Sequence, residues 1–419
     1  MNGIHFIGAG GVGVSGLAHL ALDAGCAVSA SDIADSAMLE TLRARRVDCF
    51  IGHRDALPAG TRTVVFSSAV PESDAERRYA AMNGIRQVRR GDFLSEIAEG
   101  FECRIAVSGS HGKTTTTAMV AHILRACGID AGYMVGGIVN GWRRAAFRGD
   151  GRYFVSEVDE SDGSQAGFPA DIALVMNMED DHCWSVGGTE SLERSFTQLC
   201  RNAKHILCWE SDATRRVFGG SKAAAFISQP LDLPELIGWH NKINGAMAVA
   251  AAELCGVPRD KAVEALKTFP GVSRRLSVRS IVGEHVLIED YAHHPTELKA
   301  TLDALRERYP EHFLMVLFQP HRNERVQRYG RQFAELLSRA DWIGLTDAFG
   351  AWRTDGQFCD VRNGIGAFIS HPYNYYGGKD FAAMAAAIRP EWLKHEKCVL
   401  AIIGAGDISK IIKQLEIRN

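Results

Sequence analysis

The sequence has no CxxC pair, no run of like charges, no internal repeat, no low-complexity tract and no apolar stretch long enough to cross a bilayer. Each absence removes a class of protein. The ten cysteines are scattered singly through apolar segments, as at Cys26, Cys127, Cys200, Cys208 and Cys398. They make neither a disulfide frame nor a zinc site and read as buried, reduced thiols. A net charge of −3 argues against a chain built around nucleic acid or an anionic membrane surface. The first residues pass into a strand without a charged leader or long apolar span, so neither a signal peptide nor a transmembrane helix is expected, and the expected location is the cytoplasm. What remains is an ordinary globular composition over 419 residues, enough for two or three domains at roughly 150 residues each.

What is present is a repeated pattern of strand, glycine turn and helix. The most informative instance is the apolar strand Ile105-Ala106-Val107 running into Ser108-Gly109-Ser110-His111-Gly112-Lys113-Thr114-Thr115, then apolar residues at helical spacing through Leu124. In such a setting backbone N–H groups converge on an anion, the helix N-terminus adds partial positive charge, and the lysine reaches the outer phosphates. The hydroxyl after the lysine is suited to Mg²⁺. Val107 stands where the common phosphate-loop pattern has its first glycine. Gly109, His111, Gly112, Lys113, Thr114 and Thr115 are therefore expected to bind nucleotide phosphate, against the plainer reading of a surface turn.

Two acidic strand ends accompany this loop. Tyr153 to Glu157 leads into Val158-Asp159-Glu160-Ser161-Asp162, and Asp171 to Met176 leads into Asn177-Met178-Glu179-Asp180-Asp181-His182. In a parallel sheet the loop after Val107, Glu157 and His182 share the carboxyl edge, where ligands bind. Carboxylates there supply hard oxygen for Mg²⁺, with substrate phosphates completing the shell. The bland alternative is a pair of solvated acidic loops.

Near the start, Gly8, Gly10 and Gly13 satisfy G-x-G-x-x-G after the strand Ile4 to Ile7, with Gly11 inside the turn and Asp32 following a second strand. The pattern predicts a nucleotide diphosphate without separating NAD from a UDP-sugar. Ser67 and Ser68 end a later strand in a small-residue loop, a usual place for ligand contacts. Further on, His240, Asn241 and Asn244 open a long Ala-rich helix; carboxamides there fit an adenine edge, or simply cap the helix. A third segment begins near Phe269-Pro270-Gly271. It carries Asp290-Tyr291-Ala292-His293, a strand ending at Gln319-Pro320-His321-Arg322, a helix from about Tyr329 to Ser338, and a last strand Cys398 to Ile403. Arg274, Arg275, Arg322 and Arg325 suit bidentate pairing with carboxylate or phosphate. The fold class expected is α/β in three domains: a Rossmann-like domain over 1–100, a P-loop ATPase domain with a mostly parallel sheet over 101–271, and a Rossmann-like domain over 272–419.

These motifs occur in one order: Gly8 to Gly16, Ser108 to Thr117, Glu157 to Gly163, Asn177 to His182, Gly238 to Asn244, Asp290 to Glu297, and Phe318 to Arg322. Together they resemble the Mur ligases of peptidoglycan synthesis over essentially the whole chain, most closely the branch that joins L-alanine to UDP-N-acetylmuramate. The resemblance implies an ATP- and Mg²⁺-dependent amide ligase that activates a UDP-N-acetylmuramate-type carboxylate as an acyl phosphate and couples it to an amino acid, acting on small molecules as a monomer or homodimer. It implies that Lys113 holds the β- and γ-phosphates while Thr114, Glu157 and His182 serve the metal. His240, Asn241 and Asn244 would face adenine, Asp290 the ribose, and Arg275 the nucleotide. Gly8, Gly10, Gly11, Gly13, Asp32, Ser67 and Ser68 would hold the UDP-sugar, His321, Arg322 and Arg325 the incoming amino acid, and His293 would also bind substrate. Asn323-Glu324 and Cys183-Trp184 depart from the family pattern, which leaves the amino acid open. A murein-tripeptide recycling ligase is the near alternative. A non-catalytic UDP-sugar binder or an NAD-dependent oxidoreductase is the distant one.

Overall fold

Short apolar strands alternating with helices build three sheets in the computed structural model, which describes residues 3–160, 163–179, 187–350 and 359–416. The chain divides into two compact units, Met1–Leu236 with Asn241–Val272, and Ile237–His240 with Ser273–Asn419.

The first unit carries two sheets. One runs β1 (Gly3–Ile7), α1 (Val12–Asp23), β2 (Ala27–Asp32), α2 (Ala37–Arg43), β3 (Asp48–Ile51), β4 (Thr61–Phe66), α3 (Ala75–Met82), β5 (Arg86–Arg89) and α4 (Arg90–Ala98). Its strands are parallel in the order β3-β2-β1-β4-β5. Period-2 alternation puts Ile4 and Phe6 with Leu17, Leu20 and Leu39 on one face and Ile7 with Val64 and Phe66 on the other. The strand order reverses between β1 and β4, so the Gly8 turn lies at the switch point of the sheet, where such folds bind ligands.

The second sheet runs β6 (Cys103–Ser108), α5 (Lys113–Ala126), β7 (Ala131–Met134), β8 (Ala146–Phe147), β9 (Tyr153–Glu157), β10 (Ile172–Val175), α6 (Thr189–Cys200), β11 (His205–Trp209), α7 (Asp212–Phe218) and β12 (Ala224–Ile227). The order is β12-β11-β10-β6-β9-β7-β8, with only the β7–β8 pair antiparallel. Helices α8 (Trp239–Leu254) and α9 (Arg259–Leu266) follow. Ile105 and Val107 pack with Met119, Ile123, Met247 and Val249 in one buried apolar core. That core fixes β6 between β9 and β10, so the ends of all three strands meet at one edge.

The second unit holds β13 (Ser277–Val282), β14 (His285–Asp290), α10 (Pro295–Arg308), β15 (Phe313–Phe318), α11 (Asn323–Leu337), β16 (Trp342–Thr346), α12 (Val361–Gly364), β17 (Asn374–Tyr376), α13 (Phe381–Lys394), β18 (Cys398–Ile403) and α14 (Ile412–Leu415). The order is β13-β14-β18-β15-β16-β17, with β13 antiparallel to β14. Both faces are apolar, Val316 and Ala401 on one and Leu317 and Ile402 on the other, as a doubly covered parallel sheet requires. The helix expected from about Tyr329 starts a turn and a half earlier, at Asn323. Val326 belongs to the same buried stripe as Tyr329, Phe333 and Leu337, and Arg322 ends the preceding loop in a left-handed conformation (φ 68°). Among the described residues no helix is long and apolar enough to cross a membrane.

Candidate functional site

The loop between β6 and α5 is held from below by the exit of β10. The His111 N–H donates to Asn177 Oδ1 at 2.8 Å, and Asn177 Nδ2 donates back to the His111 carbonyl at 3.1 Å. Ser110 Oγ accepts from the Glu179 N–H at 2.9 Å. Two glycines permit this path. At Gly109 (φ 135°) a Cβ would lie 2.9 Å from the Asn177 nitrogen. At Gly112 (φ 83°) it would lie 2.6 Å from Asn244 Oδ1. Gly112 is the N-cap of α5 and offers no side chain to cover the first helical N–H groups, and the first turn contains no acid. Open amides beside a lysine make an anion site.

Lys113 Nζ sits among acceptors: the Gly109 carbonyl at 2.6 Å and both Glu160 oxygens at 3.0 and 2.9 Å. Glu160 is fully buried. Burial pushes its carboxyl up to about 7 against the downward pull of Lys113, while the surrounding carboxylates, Glu160 foremost, hold the Lys113 ammonium above its ordinary value despite its own desolvation. One residue on, Thr114 Oγ1 donates to Glu157 Oε2 at 2.8 Å. Gly136 makes room for that carboxylate, since a Cβ there would fall 1.8 Å from Glu157 Oε1. A hydroxyl and a carboxylate in contact at the mouth of a phosphate loop are the hard oxygen donors Mg²⁺ takes, so these residues fit that ion. His182, expected beside them, lies outside the described residues.

In the first sheet the Gly10 N–H donates to Asp32 Oδ2 at 2.7 Å, and Ala34 N–H to Oδ1 at 3.2 Å. Asp32 thus fastens the glycine turn that includes Gly8, Gly11 and Gly13. Ser67 and Ser68 follow β4, where the Ser67 N–H donates to the Ile7 carbonyl at 3.2 Å. A narrow cleft runs from this turn to the acidic strand end, lined among others by Gly13, Arg90, Glu157, Asp159 and Ser164. The Arg90 guanidinium pairs with Asp159 across it.

The second unit gathers the remaining candidates. Asp290, at the end of β14, accepts from the Leu276 N–H at 2.7 Å, the Ala292 N–H at 2.8 Å and Thr301 Oγ1 at 3.0 Å. Burial raises its carboxyl while the charge of Arg275 opposes the rise. Arg275 lies 3.5 Å from Glu297, which also accepts from the His293 N–H at 3.0 Å. The His293 and His321 rings meet at 5.5 Å, and His321 Nδ1 lies 3.3 Å from Arg325. Arg322 donates its N–H to the Phe349 carbonyl at 2.9 Å. His240 is desolvated in this unit, and its imidazole falls to about 4. It is a neutral donor–acceptor at physiological pH, suited to a heterocycle edge.

Each unit therefore unites its own candidates. Gly109, His111, Gly112, Lys113, Thr114, Glu157 and Asn244 meet in the first, with Thr115 buried in the first turn of α5 and Asn241 bonded to Asn244 at 3.3 Å. Asp290, Arg275, His293, His321 and Arg325 form a chain in the second. Sequence reasoning passed over Glu160, Asn177 and Gly136. Glu160 carried a signal, three residues beyond Glu157 in one acidic turn; Gly136 carried none, because its partner is 21 positions away.

Three family models match the chain in order: the Mur ligase family catalytic domain over residues 3–102, the Mur ligase middle domain over 107–225, and the Mur ligase glutamate ligase domain over 274–402. The chain is 36% identical to the UDP-N-acetylmuramate–L-alanine ligase of Renibacterium salmoninarum, over 83% of this chain and 82% of that protein. It is 32% identical to the enzyme of the same name from Anaeromyxobacter dehalogenans, over 97% and 95%. Its fold matches the UDP-N-acetylmuramate-alanine ligase MurC of Thermotoga maritima with a TM-score of 0.84 at 23% identity, covering 99% of this chain and 98% of that one. It also matches a murein peptide ligase of Psychrobacter arcticus with a TM-score of 0.72 at 23% identity, over 99% and 98%. With relatives above 30% identity along nearly its full length and all three domain models matched in sequence order, the chain belongs to the Mur ligase family, the ATP-dependent ligases of peptidoglycan precursor synthesis.

Proposed function

We propose that the chain joins the carboxylate of UDP-N-acetylmuramate to the amine of L-alanine, with conversion of ATP to ADP and phosphate. The observation that carries this reading is the convergence of Lys113, Thr114, Glu157 and Glu160 on one phosphate loop, in a chain whose full-length relatives bear that activity in their names. A carboxylate is a poor electrophile. Its oxygen attacks the γ-phosphorus, ADP leaves, and the resulting acyl phosphate is open to the amine. The amine adds to the acyl carbon, phosphate departs, and a proton is released from nitrogen. Little covalent work falls to the protein, so positioning and charge stabilisation carry the rate.

Lys113 supplies a positive charge to the transferred phosphoryl group, and the amides of Gly112 to Thr115 hold the phosphates. Thr114 and Glu157, with His182, are the candidates to hold Mg²⁺, which supplies charge neutralisation along the phosphates when bound. The Gly8 turn and Asp32 are assigned to the UDP-sugar, Ser67 and Ser68 to the same ligand, and the cleft at Arg90 and Glu157 to the sugar's carboxylate end. His240, Asn241, Asn244, Asp290 and Arg275 are assigned to the nucleoside. His293, His321, Arg322 and Arg325 are assigned to the amino acid.

The test is ADP release from the purified chain with UDP-N-acetylmuramate and each amino acid in turn, and with the murein tripeptide. ADP formation in step with amide formation is expected with L-alanine. Stimulation by the tripeptide alone transfers the reading to the recycling ligase, and no stimulation by any acceptor overturns it.

A further inference from the structure

A second buried cluster of ionisable groups is built entirely from the first sheet and the elements capping it. Ile4, Phe6, Val28 and Ala30 face α1 and α2, so the alternate residues His5, Ser29 and Ser31 face the other way. All three are buried. His5 Nδ1 lies 2.8 Å from Ser29 Oγ, and Nε2 lies 3.2 Å from Ser31 Oγ. The Ser31 hydroxyl donates to Glu76 Oε2, in the first turn of α3, and His5 Nε2 is 3.5 Å from the same oxygen. Glu76 is 0% exposed, and its Oε1 has no hydrogen-bond partner among the described residues. Asp74 caps α3 by accepting from the Glu76 and Arg77 N–H groups at 3.0 and 3.1 Å, and its other oxygen meets His53 Nδ1. His53 Nε2 is buried and likewise lacks a partner among the described residues. One donor atom from each of His53, Asp74 and Glu76 lies within 4.8 Å of the others.

Charge decides what this cluster needs. Among the described residues neither carboxylate is ion-paired to a lysine or arginine; their partners are His5 and His53. The helix N-terminus offsets Asp74 through two N–H bonds. Glu76 meets the Ser31 hydroxyl and the His5 ring through Oε2 alone, which leaves the buried Oε1 to be satisfied, and a fully buried carboxylate is stable only when paired or bound to a cation. We propose that His53, Asp74 and Glu76 bind a divalent transition-metal ion of the Zn²⁺ type. One imidazole and two carboxylates suit a borderline ion, whereas Mg²⁺ and Ca²⁺ take oxygen alone. Ser31 and His5 stand behind Glu76 as the groups that orient it. The ion ties the segment after β3 to the start of α3 and, through Glu76, to β2. The Ser31 carbonyl accepts from the Gly8 and Ala9 N–H groups at 2.9 and 3.0 Å, so the tie reaches the glycine turn. The role is structural and independent of the nucleotide-site metal assigned to Thr114 and Glu157.

The experiment uses the whole chain without nucleotide, equilibrated with Zn²⁺, desalted, and assayed for metal by mass spectrometry. About one equivalent is expected in the wild type and in Glu157→Gln. It falls at least tenfold in occupancy in Glu76→Gln and in His53→Gln. Co²⁺ in place of Zn²⁺ gives visible absorption with the same residue dependence, and Zn²⁺ raises the melting temperature of the wild type but of neither variant. His53→Gln, which lies in the loop after β3, keeps the test open if Glu76→Gln does not fold. No retained metal in the wild type, or equal retention in wild type and His53→Gln, overturns the proposal.

Discussion

Lys113 and the buried Glu160 form an ion pair across the phosphate loop, the ammonium 3.0 and 2.9 Å from the two carboxylate oxygens. The pair keeps the lysine over the loop before any phosphate arrives, and its cost falls on Glu160. With its folded value near 7, above the ordinary 4.5 of a glutamate, the native state binds more protons than the unfolded state between those limits. Stability therefore falls as pH rises through that window, and the full penalty is present above it. Glu160→Gln removes this slope. Calorimetric melting at pH 5 and pH 7.5 is expected to show the wild type losing more stability than the variant over that interval; parallel profiles contradict the assignment.

Removing the lysine itself is a test of the chemistry. Lys113→Ala deletes the lysine of the loop and takes the ammonium away from the buried Glu160 carboxylate, so both catalysis and local stability suffer. ADP release in the presence of both substrates is expected to fall by at least about 10²-fold, the usual scale for a group that stabilises developing charge. A variant that still couples ADP release to amide formation at the wild-type rate refutes the role.

Gly136 is a sharper probe, because it touches the metal candidates without belonging to them. A Cβ at that position falls 1.8 Å from Glu157 Oε1, so Gly136→Ala must displace the carboxylate from the position in which it accepts from Thr114. The Mg²⁺ concentration for half-maximal rate is expected to rise about tenfold, the effect of disturbing a ligand's support. Thr114→Ser keeps the hydroxyl and is expected to keep the wild-type Mg²⁺ requirement, while Thr114→Val is expected to behave as Gly136→Ala does. An unchanged Mg²⁺ titration in Gly136→Ala removes Glu157 from the metal site.

How much of this is legible in the sequence follows from the range of each interaction. The loop from Gly109 to Thr115 and the glycine turn at Gly8 are local: strand, turn and helix are adjacent in sequence, and their spacing states their chemistry. Glu157 was legible because a strand end with carboxylates is itself a local pattern. Gly136, Asn177 and the Arg90–Asp159 pair were not, since each acts on a partner brought near only by the sheet order β10-β6-β9-β7 or by the packing of α4. Asn244 shows the other limit. Its position at a helix start suggested base recognition or capping, but its Oδ1 packs against Gly112, a contact no spacing rule contains. The start of α11 at Asn323 lies before the expected Tyr329 because Val326 shares the buried stripe of Tyr329, Phe333 and Leu337.

Asp32 separates the two halves of the proposed substrate set. In dinucleotide folds an acid at this point meets a ribose diol, yet here Oδ2 is bound to the Gly10 N–H at 2.7 Å and Oδ1 to the Ala34 N–H at 3.2 Å. Its first task is to hold the glycine turn in shape, and Asp32→Ala leaves the Gly10 amide unpaired in a half-buried loop. A lost hydrogen bond to a charged acceptor costs about 1.5–3 kcal/mol, which corresponds to a roughly 10- to 150-fold change in an equilibrium constant. The KM for UDP-N-acetylmuramate is therefore expected to rise by about that factor, with the KM for ATP unchanged because the loop from Gly109 to Thr115 is held by Asn177 and Glu179 instead. Asp32→Asn retains an acceptor oxygen for Gly10 and is expected to fall between the two. Steady-state kinetics with each substrate varied in turn decides the matter: equal increases in both KM values place the effect in global stability, not in the turn.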